Sequence, residues 1–280
     1  MPKEIIALVF DFDDTLVPDS MNALLRDKGV DVGQFWEFQW KPLLLKGWDP
    51  TLAYLKLLID LTQTGEALEG LTNQQLREFG SCLSLYRGLP EFFGQIRKDI
   101  QKLGDVVVEF WVISGGLEEV IKGCTLITSK VRDFWGCRLT GDTPTGPLKY
   151  ITKAINFTEK TRYLFEISKG LRKKDTGKNP LLVNRYAPER QVPLSNMVYI
   201  GDGVSDIPCF SLVEHYHGGA IGVIAKDKHG KARREILKDL IRRTRGAHSP
   251  DYKKGSDLYE HIESAASIII ERLQGQGKAL

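Results

Sequence analysis

Four short apolar runs limit the folds open to this chain. They are IIALVF at 5–10, VVVEFWVI at 106–113, MVYI at 197–200 and AIGVI at 220–224, separated by segments whose apolar residues fall at helical spacing. Near-continuous rather than alternating apolar character marks strands covered on both faces, as in a parallel sheet with crossover helices. The expected fold class is therefore α/β, with a Rossmann-like parallel sheet as its core. The first three runs lead into polar residues: Asp11, Ser114, and Gly201 with Asp202. Ligands of open parallel sheets bind outside the carboxyl ends of the strands, so these three endings are expected to converge.

Some ninety residues separate the first run from the second. A crossover helix needs only 10 to 15, so an inserted domain is the economical explanation. The stretches SMNALLRDKG, DPTLAYLKLLIDL and TNQQLREFGSCLSLY have capping residues at their starts and apolar residues at helical spacing. The organisation read from this is a core of 1–16 and 89–280 and an inserted α-helical domain over 17–88. GLPEFFGQIRKDIQKLG then serves as the crossover helix, beginning at Pro90 and stopping near Gly104, and IESAASIIIERL closes the chain as an amphipathic helix.

Composition narrows the class. With 280 residues, 42% hydrophobic, the chain can build a substantial core. No apolar stretch reaches the eighteen or so residues of a membrane span, and IIALVF is too short for a secretory segment, so a cytoplasmic address is expected, with no membrane partner. Cys82, Cys124, Cys137 and Cys209 lack C-x-x-C spacing, which argues for reduced, packed thiols rather than a zinc site or disulfides. Two basic stretches, 168–180 and 225–246, contain interleaved acids. They read as a solvated loop and a solvated helix face, which disfavours nucleic acid as a partner. His215, His217 and His229 form no coherent ligand set, and no role is assigned to them.

The chemistry-bearing residues sit at the strand ends. Residues two apart on an extended segment share a side, so Asp11 and Asp13 point together while Phe10 and Phe12 face the other way. Crowded carboxylates repel one another, so a cationic partner is required. Asp14 reads as a local cap or turn residue. VVVEFWVISGGLEEVIKG runs from a strand through Ser-Gly-Gly toward a helix. It places the Ser114 hydroxyl and the Gly115 amide at a helix N-terminus, either as an anion cradle or as an ordinary turn with Ser114 as N-cap. In VYIGDGVSDIP, Gly201 and Gly203 allow a sharp turn beside Asp202, with Asp206 four residues on. Hard carboxylate oxygens of this kind suit Mg2+, which takes one or two carboxylates, waters and a substrate phosphate.

In this order, D-x-D-x-T-L at 11–16, a hydrophobic strand ending in Ser-Gly-Gly, a later lysine and G-D-x-x-x-D at 201–206 resemble the haloacid dehalogenase superfamily of aspartate-nucleophile hydrolases. The position of the insert resembles the helical cap of that superfamily's phosphoserine-phosphatase-like branch. The resemblance implies that Asp11 is the nucleophile, forming an aspartyl-phosphate, and that Asp13 is the general acid and base. It implies Mg2+ held by the Asp11 carboxylate, the Asp13 carbonyl and the Asp202 carboxylate, with Asp206 as a further ligand or its neighbour. Ser114, the Gly115 amide and Thr15 would hold the phosphoryl oxygens. The lysine chosen is Lys160, with Thr158 as the cap of its helix, while Lys149, Lys153 and Lys169 are rivals. The interval from Lys160 to Asp202 is long for the branch, and a loop or hairpin insertion around 170–190 accounts for the excess.

The function implied is a magnesium-dependent phosphatase acting on a small-molecule phosphate monoester. The alternative is a catalytically silent domain that binds nucleic acid or another polyanion through its basic surface. Carbon-halogen hydrolysis shares the nucleophile but requires neither Asp13 nor the metal-binding pair. Phosphoserine enzymes resemble one another in a Glu nine residues after the nucleophile; here that position is Ser20, next to Asp19, which puts phosphoserine in doubt. Trp36, Trp40 and Trp48 are either the core of the insert or the wall of an apolar or cationic leaving-group pocket.

Overall fold

The computed structural model describes residues 3–225, 230–244 and 246–277. Among them are strands β1 (Glu4–Phe10), β2 (Val106–Leu117), β3 (Asp133–Thr140), β4 (Tyr150–Lys153), β5 (Met197–Gly201), β6 (Gly219–Val223) and β7 (Ala247–His248). They form one sheet in the order β4-β3-β2-β1-β5-β6-β7. Every pairing is parallel except that of β3 with β4. The fold is α/β with a Rossmann-like sheet, and the four apolar runs are β1, β2, β5 and β6. β1 lies between β2 and β5, with Phe10 level with Val112 on one side and Ile200 on the other. Residues Ile6 to Phe10 have no exposed surface, which is why this strand reads as unbroken hydrophobic sequence.

The helices follow in chain order: α1 (Ser20–Asp27), a π-helical turn at Gln34–Trp40, α2 (Lys41–Leu45), α3 (Pro50–Leu61) and α4 (Asn73–Ser81) lie between β1 and β2 with α5 (Glu91–Leu103). α6 (Glu118–Gly123) and α7 (Thr125–Thr128) follow β2; α8 (Glu159–Ser168) and α9 (Lys173–Thr176) follow β4. α10 (Ile207–His215), α11 (Gly230–Arg243) and α12 (Asp257–Gly277) complete the set. Local chemistry explains the starts. Asp19 and Asp49 each accept the N–H three residues on, at 2.8 and 2.9 Å, and Thr72 with Gln75 forms a reciprocal capping box. No described helix is long and apolar enough to cross a membrane.

Aromatic packing locks the layers together. Phe10 of β1 meets Phe92 and Phe93 of α5 edge-on, at 6.1 and 6.0 Å between centroids, and Tyr252 at 6.3 Å. Trp111 of β2 stacks on Trp135 of β3 at 5.7 Å, and Trp135 contacts Tyr163 of α8 at 5.1 Å. The helix that carries Lys160 is thereby fixed against the sheet. All four cysteines are free thiols, with Cys82 alone exposed.

Two expectations need correction. The strand does not stop before Ser-Gly-Gly: β2 continues through Leu117 and α6 starts at Glu118 with no side-chain cap, so Ser114 lies within the strand and is not an N-cap. Thr158 does not cap α8 either; Asn156 does, its Oδ1 accepting the Glu159 N–H at 2.8 Å. Of the loop and hairpin alternatives for the excess after α8, the structure has the loop, with the short helix α9 and a 3-10 turn at Pro180–Asn184 within it. Part of the second basic stretch, 226–229 and 245, and with it His229, lies outside the described residues.

α4 crosses α6 in unusually close contact. A Cβ on Gly80 would stand 2.1 Å from the Val120 carbonyl oxygen, and one on Gly123 would stand 2.0 Å from that of Arg77. Gly80→Ala or Gly123→Ala must force the helices apart, so each is expected to lower stability by about 1–3 kcal/mol. Calorimetric unfolding checks this, and because both changes push apart the same pair, the double variant should lose less than the sum.

Candidate active site

The site begins where β1 runs out. The Asp11 N–H still donates to the Ile200 carbonyl of β5 at 2.9 Å, so the backbone is held in sheet register one residue past the strand. The chain then turns tightly: the Phe12 carbonyl accepts the N–H groups of Leu16 at 2.8 Å and Val17 at 3.2 Å. Asp14 sits in the turn with φ 53°, a left-handed conformation that Asp tolerates, and accepts the Asp19 N–H at 3.2 Å. Asp13 accepts the Ser20 N–H at 2.9 Å, which ties the turn to the first turn of α1.

A buried ammonium organises the acids. Lys160 Nζ lies 2.9 Å from Asp11 Oδ2, 2.7 Å from Asp206 Oδ1 and 3.2 Å from Ser205 Oγ, and its side chain is only 1% exposed. The rivals lie elsewhere: Lys149 pairs with Asp142 at 2.9 Å, Lys153 with Glu118 at 3.5 Å, and Lys169 donates to the Val183 and Arg185 carbonyls. Asp206 is engaged on both oxygens, accepting the Tyr199 hydroxyl at 2.7 Å and the Asp202 and Gly203 N–H groups at 3.1 and 3.4 Å. Gly201 permits this approach, since a Cβ there would lie 2.4 Å from Asp206 Oδ2.

Burial and mutual repulsion set the protonation of the acids. Burial, then the charge of Asp206, push Asp11 well above the usual carboxylate range, while Lys160 pulls the other way. Burial alone would depress the Lys160 ammonium, but the charges of Asp11 and Asp206 outweigh it and hold the pKa above the ordinary lysine value. Asp13 is pushed up to about 7, by burial first and then by the charges of Asp19 and Asp14, against hydrogen bonding from Ser20.

From β2, Ser114 Oγ accepts the Gly116 N–H at 2.9 Å, and the Gly115 carbonyl accepts the hydroxyl of Tyr54 from α3 and the Cys137 thiol at 3.1 Å. Gly116 permits contact with the acid turn, because a Cβ there would lie 2.4 Å from Asp13 Oδ2. Asp11, Asp13, Ser114, Gly115 and Asp202 all line one cavity of about 480 Å3. Trp36, Trp40 and Tyr54 of the helical segment and Phe157 line it too; Trp48 does not. Thr15 is not brought to the cavity: it is fully buried, its hydroxyl has no partner among the described residues, and its carbonyl accepts the Tyr252 hydroxyl at 2.9 Å.

Carboxylate oxygens of Asp11, Asp202 and Asp206 lie within 4.8 Å of one another. With Lys160, these three acids carry a formal charge of −2, and their donor atoms are hard oxygens, so the cluster fits a hard divalent cation. The Asp13 carboxylate is outside this cluster. Sequence reasoning missed Tyr54, Phe157 and Ser205, none of which belongs to a recognisable pattern, and it assigned Gly116 no role of its own.

No family model matches the chain. An uncharacterized protein of Borreliella burgdorferi is 27% identical over 294 residues, spanning 93% of this chain and 96% of that one. Among solved structures, a HAD family hydrolase from Salmonella enterica serovar Typhi superposes with a TM-score of 0.54 at 16% identity, covering 84% of this chain and 67% of that one. Cytosolic 5′-nucleotidase IIIB, solved bound to cytidine, gives a TM-score of 0.50 at 16% identity over 99% of this chain and 88% of that one. The fold is thus that of the haloacid-dehalogenase-like hydrolases.

Two outcomes are expected. Lys160→Met leaves Asp11 and Asp206 buried without their cation and should cost about 3–5 kcal/mol in urea unfolding, with partial recovery on adding Asp206→Asn. For Asp13, the folded pKa of about 7 lies above the ordinary 3.8, so the folded state binds the proton more tightly than the unfolded chain does. Its contribution to stability is complete below the lower value and lost as pH rises toward the higher one. Asp13→Asn should flatten the stability profile across that window and stabilise the protein above neutral pH.

Proposed function

We propose that the chain is a magnesium-dependent phosphatase of the haloacid dehalogenase superfamily, hydrolysing a small-molecule phosphate monoester through an aspartyl-phosphate on Asp11, with residues 17–88 as its cap. The observation that carries this reading is the pairing of a lysine-clamped Asp11 with a second carboxyl, Asp13, of pKa about 7 in the same cavity. One group is fixed for attack and the other is tuned to exchange a proton near neutral pH.

In the first step an Asp11 oxygen forms a bond to phosphorus while the ester P–O bond breaks. Asp13, entering protonated, gives its proton to the departing oxygen, and the alcohol leaves. In the second step Asp13, now a carboxylate, takes a proton from water as the water oxygen attacks phosphorus. The Asp11–phosphorus bond breaks, inorganic phosphate leaves, and both acids regain their starting states. The Ser114 hydroxyl and the Gly115 amide are the donors offered to the phosphoryl oxygens. Lys160 orients Asp11 and offsets its charge from beneath the cavity. Asp11, Asp202, Asp206 and the Asp13 carbonyl would hold Mg2+, which supplies the positive charge that lets an anionic nucleophile meet an anionic phosphate.

Carbon-halogen hydrolysis leaves Asp13 without a task. The polyanion-binding alternative is weakened by how much of the first basic stretch is already engaged: Lys173 pairs with Glu118 at 2.8 Å and Lys169 with two carbonyls. The test is turnover of an aryl phosphate and a panel of metabolite phosphates, with and without Mg2+. Asp11→Asn should abolish metal-dependent turnover by at least about a thousandfold and Asp13→Asn should lower it about a hundredfold or more. Turnover retained by Asp11→Asn would refute the assignment.

A further inference from the structure

We infer that Tyr54 is a positioning residue for phosphoryl transfer: its hydroxyl, brought in by α3, holds the Gly115–Gly116 peptide so that the Gly116 N–H aims the Ser114 hydroxyl at the phosphoryl group. The inference rests on the phosphatase reading above.

A break in the sheet is the first argument. β2 and β3 pair at Ile113 with Trp135 and again at Leu117 with Cys137, so Ser114, Gly115 and Gly116 stand against Gly136 alone, and β1 pairs with β2 only as far as Val112. In such a bulge the backbone groups need partners outside the ladder. Two glycines in succession leave the chain free to rotate on either side of the peptide between them, so what that peptide bonds to sets its orientation. Its carbonyl, that of Gly115, takes two donors: the Tyr54 hydroxyl from α3 and the Cys137 thiol from β3 at 3.1 Å. Burial, ahead of any other cause, lifts the pKa of both groups above their ordinary values, so each keeps its proton for this contact near neutral pH.

A peptide group is rigid and planar, so donors on its carbonyl also fix the N–H at its other edge. Here that N–H belongs to Gly116 and donates to Ser114 Oγ at 2.9 Å. An oxygen that accepts from a fixed direction offers its own O–H over a restricted range, and the serine proton is left to donate to a phosphoryl oxygen. Polarisation runs the same way: from the Tyr54 hydroxyl to the carbonyl, from the Gly116 N–H to Ser114 Oγ, and from the Ser114 hydroxyl to the substrate, each bond strengthening the next. Without the Tyr54 hydroxyl the carbonyl retains only the Cys137 thiol, a weak donor. The Tyr54 ring lines the same cavity as Ser114, so Tyr54→Phe keeps the wall and removes only this bond. A hydroxyl that merely fastened α3 to the sheet would act whether or not Ser114 were present, and this separates the two roles.

The test is a double-variant cycle of Tyr54→Phe with Ser114→Ala. It is read as kcat and KM on p-nitrophenyl phosphate and on the best ester of the metabolite panel, and as the Kd of orthovanadate, an analogue of the transferring phosphoryl group, by calorimetry with Mg2+. Urea unfolding establishes that each variant is folded. Tyr54→Phe alone should lower kcat about five- to tenfold, change KM by less than about twofold, and weaken orthovanadate as much as kcat falls. In the Ser114→Ala background the same substitution should move kcat and Kd by less than about twofold, because the group it acts through is gone. An equal loss in both backgrounds, or no loss in Tyr54→Phe alone, overturns the positioning role and leaves the phosphatase standing. Absence of turnover on every ester, with no beryllofluoride adduct at Asp11, overturns both.

Discussion

The buried contact between Lys160 and the carboxylates of Asp11 and Asp206 is the constraint around which the rest is arranged. It joins three elements distant in sequence: the end of β1, the first turn of α8 and the turn between β5 and α10. Two carboxylates with almost no exposure are unstable neighbours, and the single charge of Lys160 is shared between them. Tyr199 and two backbone N–H groups saturate Asp206. The remaining electrostatic stress falls on Asp11, whose pKa is raised. A divalent cation at the Asp11, Asp202 and Asp206 cluster would relieve that stress.

Around this clamp the close approaches are made by glycine. Gly201 lets Asp206 reach beneath the β5 turn, and Gly116 lets the β2 ending stand against Asp13. The helical segment closes the other side of the cavity, with Tyr54 bonded to the Gly115 carbonyl and Thr51 Oγ1 lying 3.5 Å from that of Ile155. The acids of the sheet edge and the aromatic wall of the insert therefore meet through the same stretch of β2.

Much of this could be read from the chain, for identifiable reasons. β1, β2, β5 and β6 were legible because strands covered on both faces must be apolar without interruption, and the carboxyl-end rule for parallel sheets then brought Asp11, Ser114 and Asp202 together. β3 was not, because DFWGCRLT mixes charge, glycine and aromatics, and its burial comes from Trp135 lying on Trp111, a tertiary contact. The helix starts near Ser114 and Thr158 were misplaced by propensity: the parallel neighbours carry β2 on to Leu117, and Asn156 supplies the cap that Thr158 offers in sequence. Lys160 was legible from its place in a first turn, where a cation needs a reason to be. Thr15 matched a motif but lies fully buried, away from the cavity. For Trp36 and Trp40, helical spacing cannot say whether a face meets the core or a cavity, and only the surrounding elements decide.

The most direct test of the central claim is to trap the phosphoryl group during turnover. Acid quench followed by borohydride reduction and peptide mass spectrometry would locate any phosphorylated carboxylate. The account predicts a reduced product at Asp11 alone, formed only with phosphate ester and Mg2+ present and absent from Asp11→Asn. Hydrolysis that proceeds with no modification at Asp11, or with modification at another residue, would contradict it.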